Sequence, residues 1–168
     1  MLYRCAMQHG PQHRDSGSLN TKTDISLTAR ATFRAWTSVS VRYNDLDPLG
    51  HVNNTAMAIF LEQARCELIT PMLKAHGRQF DMVLASTRLD YLHELKYPGI
   101  VEIGTVATRI GTKSFDLAHG VFQDGVCAGT GSVVMVVFDL DKRASVAPPA
   151  DVRQRIAGLL AGAMTMPG

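Results

Sequence analysis

The sequence predicts one α+β domain in which a small antiparallel sheet covers a single long helix. The chain has 168 residues, of which 46% are hydrophobic and 19% charged, which is the profile of one globular domain. One strand pattern precedes a long amphipathic helix pattern, and four strand patterns follow it with only short breaks between them. These breaks favour antiparallel hairpins, because a parallel crossover needs a dozen or more residues.

The first strand and the helix are predicted from side-chain periodicity. Apolar residues alternate from Ala35 and predict a half-buried strand that ends near Tyr43. Apolar residues then recur at spacings of three and four from about Asn54, which predicts an amphipathic helix. Asn53 or Asn54 is expected to cap its start, and Pro71 is expected to interrupt or end it.

The remaining elements follow from strand patterns and turn residues. The four strand patterns cover about 81–95, 100–110, 114–122 and 126–139. Asp124-Gly125 is the strongest hairpin signal in the chain. Helical spacing over about 150–163 predicts a short C-terminal helix. A sheet of this size leaves edge strands that need protection, which favours dimerisation.

Residues 1–34 differ from the rest of the chain and are predicted to be a disordered leader ahead of a domain that covers 35–168. They contain scattered Gly, Pro, Ser and His without a sustained helical or alternating pattern. These residues include five basic and two acidic side chains, which account for all of the positive net charge of a chain whose formal charge is +2. An organelle transit peptide also has such a composition, but the Asp residues and Pro11 favour an upstream extension without a function of its own.

Charge, hydropathy and cysteine content exclude several classes of function. The small net charge gives no electrostatic footprint for nucleic acid, and no apolar run reaches the roughly 18 residues of a membrane span. We therefore expect a cytoplasmic protein with no nucleic-acid partner and no membrane span. Cys5, Cys66 and Cys127 form no Cys-x-x-Cys pair and are expected to be free thiols, the last two buried, so no metal site is predicted.

The segment 43–54 is the densest polar stretch and the candidate for chemistry. Asp47, His51, Asn53 and Asn54 lie in a loop that leads into a helix N-terminus, where backbone N–H groups stabilise an anion. Such donors hold the oxyanion that forms when a thioester carbonyl is attacked, and a nearby carboxylate acts as base or nucleophile. The same residue types are also common turn formers and helix caps, so the residues alone leave a purely structural role open.

A longer pattern around this segment resembles a known enzyme family. The pattern consists of Val41-Arg42-Tyr43-Asn44-Asp45-Leu46-Asp47-Pro48-Leu49-Gly50-His51-Val52-Asn53-Asn54 followed by Phe60-Leu61-Glu62-Gln63-Ala64-Arg65. It is similar to the signature of hotdog-fold acyl-CoA thioesterases related to 4-hydroxybenzoyl-CoA thioesterase, and the similarity extends over roughly residues 37–148. The resemblance implies a five-stranded antiparallel sheet around one long central helix, with homodimers that often pair into homotetramers.

The resemblance also implies roles for particular residues. The aspartate directly before Pro is the catalytic carboxylate in that family, which is Asp47 here, and the backbone N–H that polarises the carbonyl matches Asn54. Plant acyl-carrier-protein thioesterases are similar over the same segment and use the positions of Asp47 and His51. This sequence has Leu49 where they have Asn, and their further acidic position falls near Glu94.

These roles predict hydrolysis of an acyl-CoA thioester without a metal or redox cofactor, coenzyme A being part of the substrate. His51 and Asn53 would position water or the loop. Lys113, in a turn with Ser114, is the leading candidate for the phosphates, ahead of Arg88 and Arg143. Candidates for the acyl-binding wall are Met57, Phe60, Phe80 and Met82.

Several alternatives stay open at the level of the sequence. An acyl carrier protein is the alternative carrier of the thioester. A hotdog hydratase or dehydratase and a non-catalytic acyl-CoA or acyl-carrier binding module are the alternative functions. The acyl group, the choice between base and nucleophile for Asp47, the pathway, and dimer against tetramer are not determined by the sequence.

Overall fold

A computed structural model describes residues 25–77 and 79–161 of the chain. The elements in chain order are β1 (Ala35–Ser40), α1 (Asn54–Lys74), β2 (Phe80–Tyr91), β3 (Ile100–Ile110), β4 (Ser114–Gln123), β5 (Val126–Asp139), β6 (Ala144–Ser145) and α2 (Ala150–Ala157). The predicted strands and the start of α1 agree with these bounds to within a few residues, and the predicted α+β class is confirmed. β6 is a two-residue addition to the five predicted strands.

The strands form one curled antiparallel sheet in the order β1-β3-β4-β5-β2, with β6 added on β5. The β3–β4 and β4–β5 connections are hairpins, as their short breaks predict. At the second hairpin Asp124 and Gly125 both have positive φ, 51° and 80°, which is the backbone conformation of a tight two-residue turn. β1 and β2 are left as the two edge strands.

Helix α1 packs across the inner face of this sheet, and two glycines of β5 allow its close approach. A Cβ on Gly129 would lie 2.8 Å from the Met57 side chain, and one on Gly131 would lie 2.7 Å from Leu61. The helix buries its apolar side against the sheet over most of its length. It continues through Pro71, which lies on its exposed side, and ends three residues later at Lys74, so Pro71 does not break it.

The outer face of the sheet is covered by an N-terminal strap, residues 25–34, which falls inside the predicted leader. The Phe33 ring lies over Gly104 and Gly120, paired glycines of β3 and β4, where a Cβ would collide with it. Arg30 stacks 4.1 Å from the Trp36 ring centre and forms a two-bonded ion pair with Glu102. Ordered packing therefore begins before residue 35, and residues 1–24 lie outside the described residues.

The C-terminal helix is shorter than expected, and the residues after it complete the sheet edge. α2 ends at Ala157, whereas the predicted helix extends to about residue 163. The chain then turns so that Ala107 of β3 donates its N–H to Leu159 and accepts the N–H of Ala161. These bonds cover the part of the β3 edge that β1 leaves unpaired.

A small polar cluster lies inside the core between α1 and the sheet. His119 of β4 has no exposed surface, and its Nδ1 lies 3.0 Å from Thr105 Oγ1 on β3. Within the described part of the chain, His119 Nε2 has no hydrogen-bond partner. Burial, together with the nearby charge of Arg65 on α1, lowers the pKa of His119 to about 3, so this imidazole is neutral at pH 7.

The cysteines differ in part from expectation. Cys66 and Cys127 are free, but Cys66 lies on the exposed side of α1 and Cys127 is only half-buried. The prediction of a buried Cys66 is wrong, because this residue lies one helical turn after the exposed Glu62 and Gln63 and therefore shares their side of α1. Cys5 lies outside the described residues. No described helix combines the length and the hydropathy required to cross a membrane.

Candidate active site

The loop between β1 and α1 is built around the buried carboxylate of Asp45. Asp45 Oδ2 accepts the Arg42 backbone N–H at 2.7 Å, and Oδ1 accepts a guanidinium N–H of the same residue at 2.8 Å. The Arg42 hydrogen bonds lower the pKa of Asp45. Both of its oxygens are therefore used to hold the loop, which assigns Asp45 a structural role.

Asp47 is bound to the loop through only one of its carboxylate oxygens. Oδ1 accepts the backbone N–H groups of Leu49 at 2.8 Å and His51 at 3.0 Å. The Asp47 N–H donates to the His51 carbonyl at 2.7 Å and closes the turn from the other side. Among the described residues Oδ2 has no hydrogen-bond partner, so the loop fixes the carboxylate and leaves one oxygen available for chemistry.

The N-terminus of α1 is tied to the same loop, because the Asn53 N–H donates to the Asp45 carbonyl at 2.8 Å. Asn53 is the N-cap, since its side-chain oxygen accepts the Thr55 N–H at 2.9 Å. Asn54 is the first helical residue, and within the described chain its N–H has no acceptor. The Tyr91 hydroxyl donates to the Asn54 carbonyl at 3.1 Å and ties the end of β2 to the helix start.

The connection between β2 and β3 brings a second carboxylate to the site. The nearest oxygen of Glu94 lies 3.6 Å from His51 Nδ1, which is ion-pair distance and slightly too long for a direct hydrogen bond. Both side chains are more than half exposed. Hydrogen bonds between catalytic groups are often long in a free enzyme and shorten when substrate binds.

These groups line an open cleft of about 790 Å³ at one end of the sheet. The lining residues are Asp47, His51, Val52, Asn53, Asn54, Met57, Tyr91, Leu92, His93, Glu94, Leu95, Lys96, Gln123, Asp124, Val126 and Ala128. The polar side chains come from the loops and from the adjoining ends of α1, β2 and β4, whereas Met57 of α1 and Val126 and Ala128 of β5 contribute apolar lining. No group of three potential metal ligands occurs among residues 25–77 and 79–161.

The cleft contains five of the eight residues predicted for the site. Asp47, His51, Asn53 and Asn54 line it, and so does Met57. Phe60 does not, because α1 turns it into the core, where it is 1% exposed.

The other two predicted residues, Lys113 and Ser114, lie in and beside the β3–β4 turn at the opposite end of the sheet. Phe80, Met82 and Arg143 also lie toward that end, and Arg88 forms an ion pair with Asp90 on β2. The cleft of one chain is thus built without the basic residues that were predicted for the phosphates.

Tyr91, Lys96 and Gln123 are among the lining residues to which sequence reasoning assigned no role in the site. Tyr91 lies within residues 37–148, over which the sequence resembles the thioesterase family, and no other feature of the sequence marks it. Nothing in the sequence marks Gln123 and Lys96, since their importance depends on two hydrogen bonds between the end of β4 and the β2–β3 connection. Glu94 was located by similarity to the plant enzymes, and the structure places it beside His51.

The curled sheet around a central helix, with a polar cleft at the helix start, defines a hotdog-like α+β protein. A model of the family described as the thioesterase-like superfamily matches residues 41–156, and the chain belongs to this family. The strap and β1 precede the matched segment. Membership supports thioester hydrolysis as the general chemistry.

Solved structures of several bacterial proteins show the same fold. The chain is 25% identical to the PA5185 protein of Pseudomonas aeruginosa, with a TM-score of 0.74 over 80% of this chain and 97% of that one. It is 29% identical to a predicted thioesterase from Bacillus stearothermophilus, with a TM-score of 0.67 over 79% and 98% of the two chains. It is 32% identical to a thioesterase from Thermus thermophilus solved with coenzyme A and zinc, with a TM-score of 0.64 over 76% and 95%.

Proposed function

We propose that the protein hydrolyses an acyl-CoA thioester to a free carboxylic acid and coenzyme A. The observation that carries the proposal is the half-bound carboxylate of Asp47 beside the free N–H of Asn54 in an open cleft. The Asp47 carboxylate supplies the negative charge that drives the attack, and the Asn54 N–H stabilises the negative charge that develops on the carbonyl oxygen. Family membership supports the reaction type independently of this geometry.

The reaction proceeds by attack on the thioester carbonyl carbon and loss of the thiolate. Asp47 Oδ2 either removes a proton from the attacking water or attacks directly to give an anhydride that water then cleaves. The Asn54 N–H holds the carbonyl oxygen in both routes. The C–S bond breaks, and the thiolate leaves without a strong acid because it is a much weaker base than an alkoxide. It then takes up the proton that the water has lost, which gives coenzyme A as the free thiol.

His51 and Glu94 assist from the other wall of the cleft. The His51 ring lies between the Asp47 loop and the Glu94 carboxylate, which positions it to orient water or the substrate. Glu94 in turn lies at ion-pair distance from the His51 ring and helps to hold the ring in place. Asn53 acts mainly through the helix start, because its side-chain oxygen is already used by Thr55.

Coenzyme A is the proposed carrier of the acyl group. The similar Thermus thermophilus thioesterase was solved with coenzyme A, which supports a ligand of this type for the present cleft. Among the described residues that line the cleft, Lys96 is the one lysine, against the three carboxylates of Asp47, Glu94 and Asp124. The cleft is therefore suited to the acyl thioester and pantetheine part, whereas the phosphates require positive charge from elsewhere.

We propose that a second copy of the chain supplies this charge through a homodimer. β2 has β5 on one side only, and its twelve residues are mostly exposed, with Val83, Leu84 and Tyr91 each more than 40% exposed. A long apolar edge of this kind is a site for strand pairing. Antiparallel pairing of two β2 strands reverses one chain relative to the other, so the Lys113 end of one copy lies near the cleft of its neighbour.

The dimer is tested by light scattering and kinetics together. Leu84→Lys introduces charge on the β2 edge and is expected to halve the mass, whereas Lys113→Ala should keep the mass and raise KM for acyl-CoA. A monomeric wild type would contradict the dimer, and an unchanged KM in Lys113→Ala would remove that residue from the phosphate site.

The enzyme activity is tested by thiol release from short, medium, long-chain and aromatic acyl-CoAs. At least one of these substrates is expected to be hydrolysed, and the preferred one identifies the acyl class. Loss of enoyl-CoA absorbance without thiol release would indicate a hydratase, and saturable binding without turnover would indicate a binding module. Either result would overturn the proposed hydrolysis.

A further inference from the structure

The connection between β2 and β3 carries Glu94 into the cleft, and its backbone is held at separate points. At its start, the N–H groups of Leu92 and His93 both donate to the Ala128 carbonyl at 2.9 and 3.0 Å. At its far end, Gly99 accepts the Val41 N–H at 2.9 Å. Glu94 lies between these anchors, so its location depends on what holds the middle of the connection.

The middle is held by the side chain of Gln123, at the end of β4. Gln123 Oε1 accepts the Lys96 backbone N–H at 2.7 Å, and Gln123 Nε2 donates to the Lys96 carbonyl at 2.9 Å. The amide therefore pairs with both polar groups of one residue, as a neighbouring strand would. Two bonds to one residue fix both its position and its orientation.

The surroundings of Gln123 show that this arrangement is tightly packed. The residue is 7% exposed. A Cβ on Gly99 would collide with Gln123 Nε2, so the connection leaves room for the amide only because residue 99 is glycine. Lys96 is two residues from Glu94, and the buried side chain of Leu95 between them anchors the same turn in the core.

We propose that Gln123 is a positioning residue that holds Glu94 beside His51 by binding the Lys96 backbone. The inference rests on the proposed function, in which His51 and Glu94 assist Asp47. Gln123 acts on the reaction only through the connection. Removal of its amide should therefore lower kcat as much as removal of the Glu94 charge does, with an equally small effect on KM.

Two variants of Gln123 separate the two hydrogen bonds. Gln123→Met keeps the length of the side chain and removes both bonds. Gln123→Glu keeps the acceptor for the Lys96 N–H and removes the donor to the Lys96 carbonyl. Gln63→Met is the matched control, because Gln63 is an exposed residue of α1 that bonds only to Glu67 among the described side chains.

The kinetic test is a double-mutant cycle with Glu94→Gln. We expect Gln123→Met and Glu94→Gln each to lower kcat about tenfold with KM changed less than about twofold, and the double variant to be no slower than either one. Gln123→Glu should fall between wild type and Gln123→Met, and Gln63→Met should match wild type. A double variant slower by the product of the two effects, or a rise in KM without a fall in kcat, would overturn the proposal.

A measurement on the resting protein tests the same inference without turnover. In Gln123→Met, hydrogen exchange of the Lys96 amide should accelerate at least about tenfold while those of Leu92 and His93 stay protected. The ring ¹⁵N shifts of His51 should move to the values seen in Glu94→Gln. If wild type releases no thiol but both changes occur, the proposed function fails and the positioning role stands. Unchanged Lys96 exchange or His51 shifts would refute the role whatever the activity.

Discussion

Lowering the pH from 7 to 5 is expected to destabilise the protein through His119. The imidazole is fully buried between α1 and the sheet, with Thr105 as its hydrogen-bond partner and the charge of Arg65 nearby. Burial is the larger cause and Arg65 the smaller cause of a pKa of about 3 in the folded chain. The unfolded chain has the ordinary value of about 6.5, so between these two values only the unfolded form takes up the proton.

The size of the effect follows from the two pKa values. Each pH unit below about 6.5 and above about 3 favours unfolding by about 1.4 kcal/mol, because protons bind the unfolded chain alone. From pH 7 to pH 5 the free energy of unfolding should fall by about 2 kcal/mol from this residue. The lowered pKa values of Asp45, Glu102 and Asp139 act in the same direction, but only below about pH 4.5.

Urea unfolding at pH 7, 6 and 5 measures this free energy directly. His119→Gln keeps a polar side chain that reaches Thr105 but does not titrate, so its stability should vary little over this range. His93→Gln is the matched control, because the His93 side chain is already exposed to water in the folded chain. It should keep the slope of wild type.

The result that refutes this reasoning is a His119→Gln variant that loses stability from pH 7 to 5 as steeply as wild type does. The pH dependence would then arise elsewhere, and the buried imidazole would not differ in protonation between the folded and unfolded chains. A lower stability of the variant at pH 7 does not enter the comparison, because only the slope with pH is used.

Two further predictions concern the strap and the helix start. Phe33→Ala should lower the free energy of unfolding by about 3 kcal/mol, because the ring fills the space over the paired glycines. Tyr43→Ala is the control, since Tyr43 is an exposed aromatic residue, and it should change this free energy by less than about 0.5 kcal/mol. Urea titration measures both values. Equal losses in the two variants would contradict the packing of the strap. Asn53→Ala should cost about 1 kcal/mol through the lost N-cap, whereas Asn53→Asp should cost less than half of that, and equal losses would show that the cap bond is not what stabilises the helix start.

The strands could be predicted from the sequence because stretches typical of strands are separated by short breaks that contain turn residues. Asp124-Gly125 specifies its hairpin locally, since few other residue pairs adopt positive φ at both positions. The start of α1 could be predicted for the same reason, because an Asn cap acts within two residues. These signals are local in the chain and need no knowledge of the fold.

The packing of the strap and the location of the basic residues relative to the cleft could not be predicted, since both depend on how segments that are distant in sequence come together. Phe33 is ordered because Gly104 and Gly120 become neighbours only when β3 and β4 pair. Lys113 looked suitable for phosphates by its turn, but the direction of β3 and β4 places that turn away from Asp47 in the same chain. The role of Gln123 could not be predicted either, because its partner is the backbone of Lys96 in the β2–β3 connection.

The most direct test of the account compares thiol release by wild type, Asp47→Asn and Asp124→Asn on the preferred acyl-CoA. Asn at position 47 keeps the oxygen that accepts the Leu49 and His51 N–H groups and removes the charge, so the fold should persist while kcat falls by at least about a hundredfold. Asp124 is another carboxylate of the same cleft, and its variant should stay within about threefold of wild type. A fully active Asp47→Asn, or an equal loss in both variants, would contradict the assignment of Asp47 as the catalytic carboxylate.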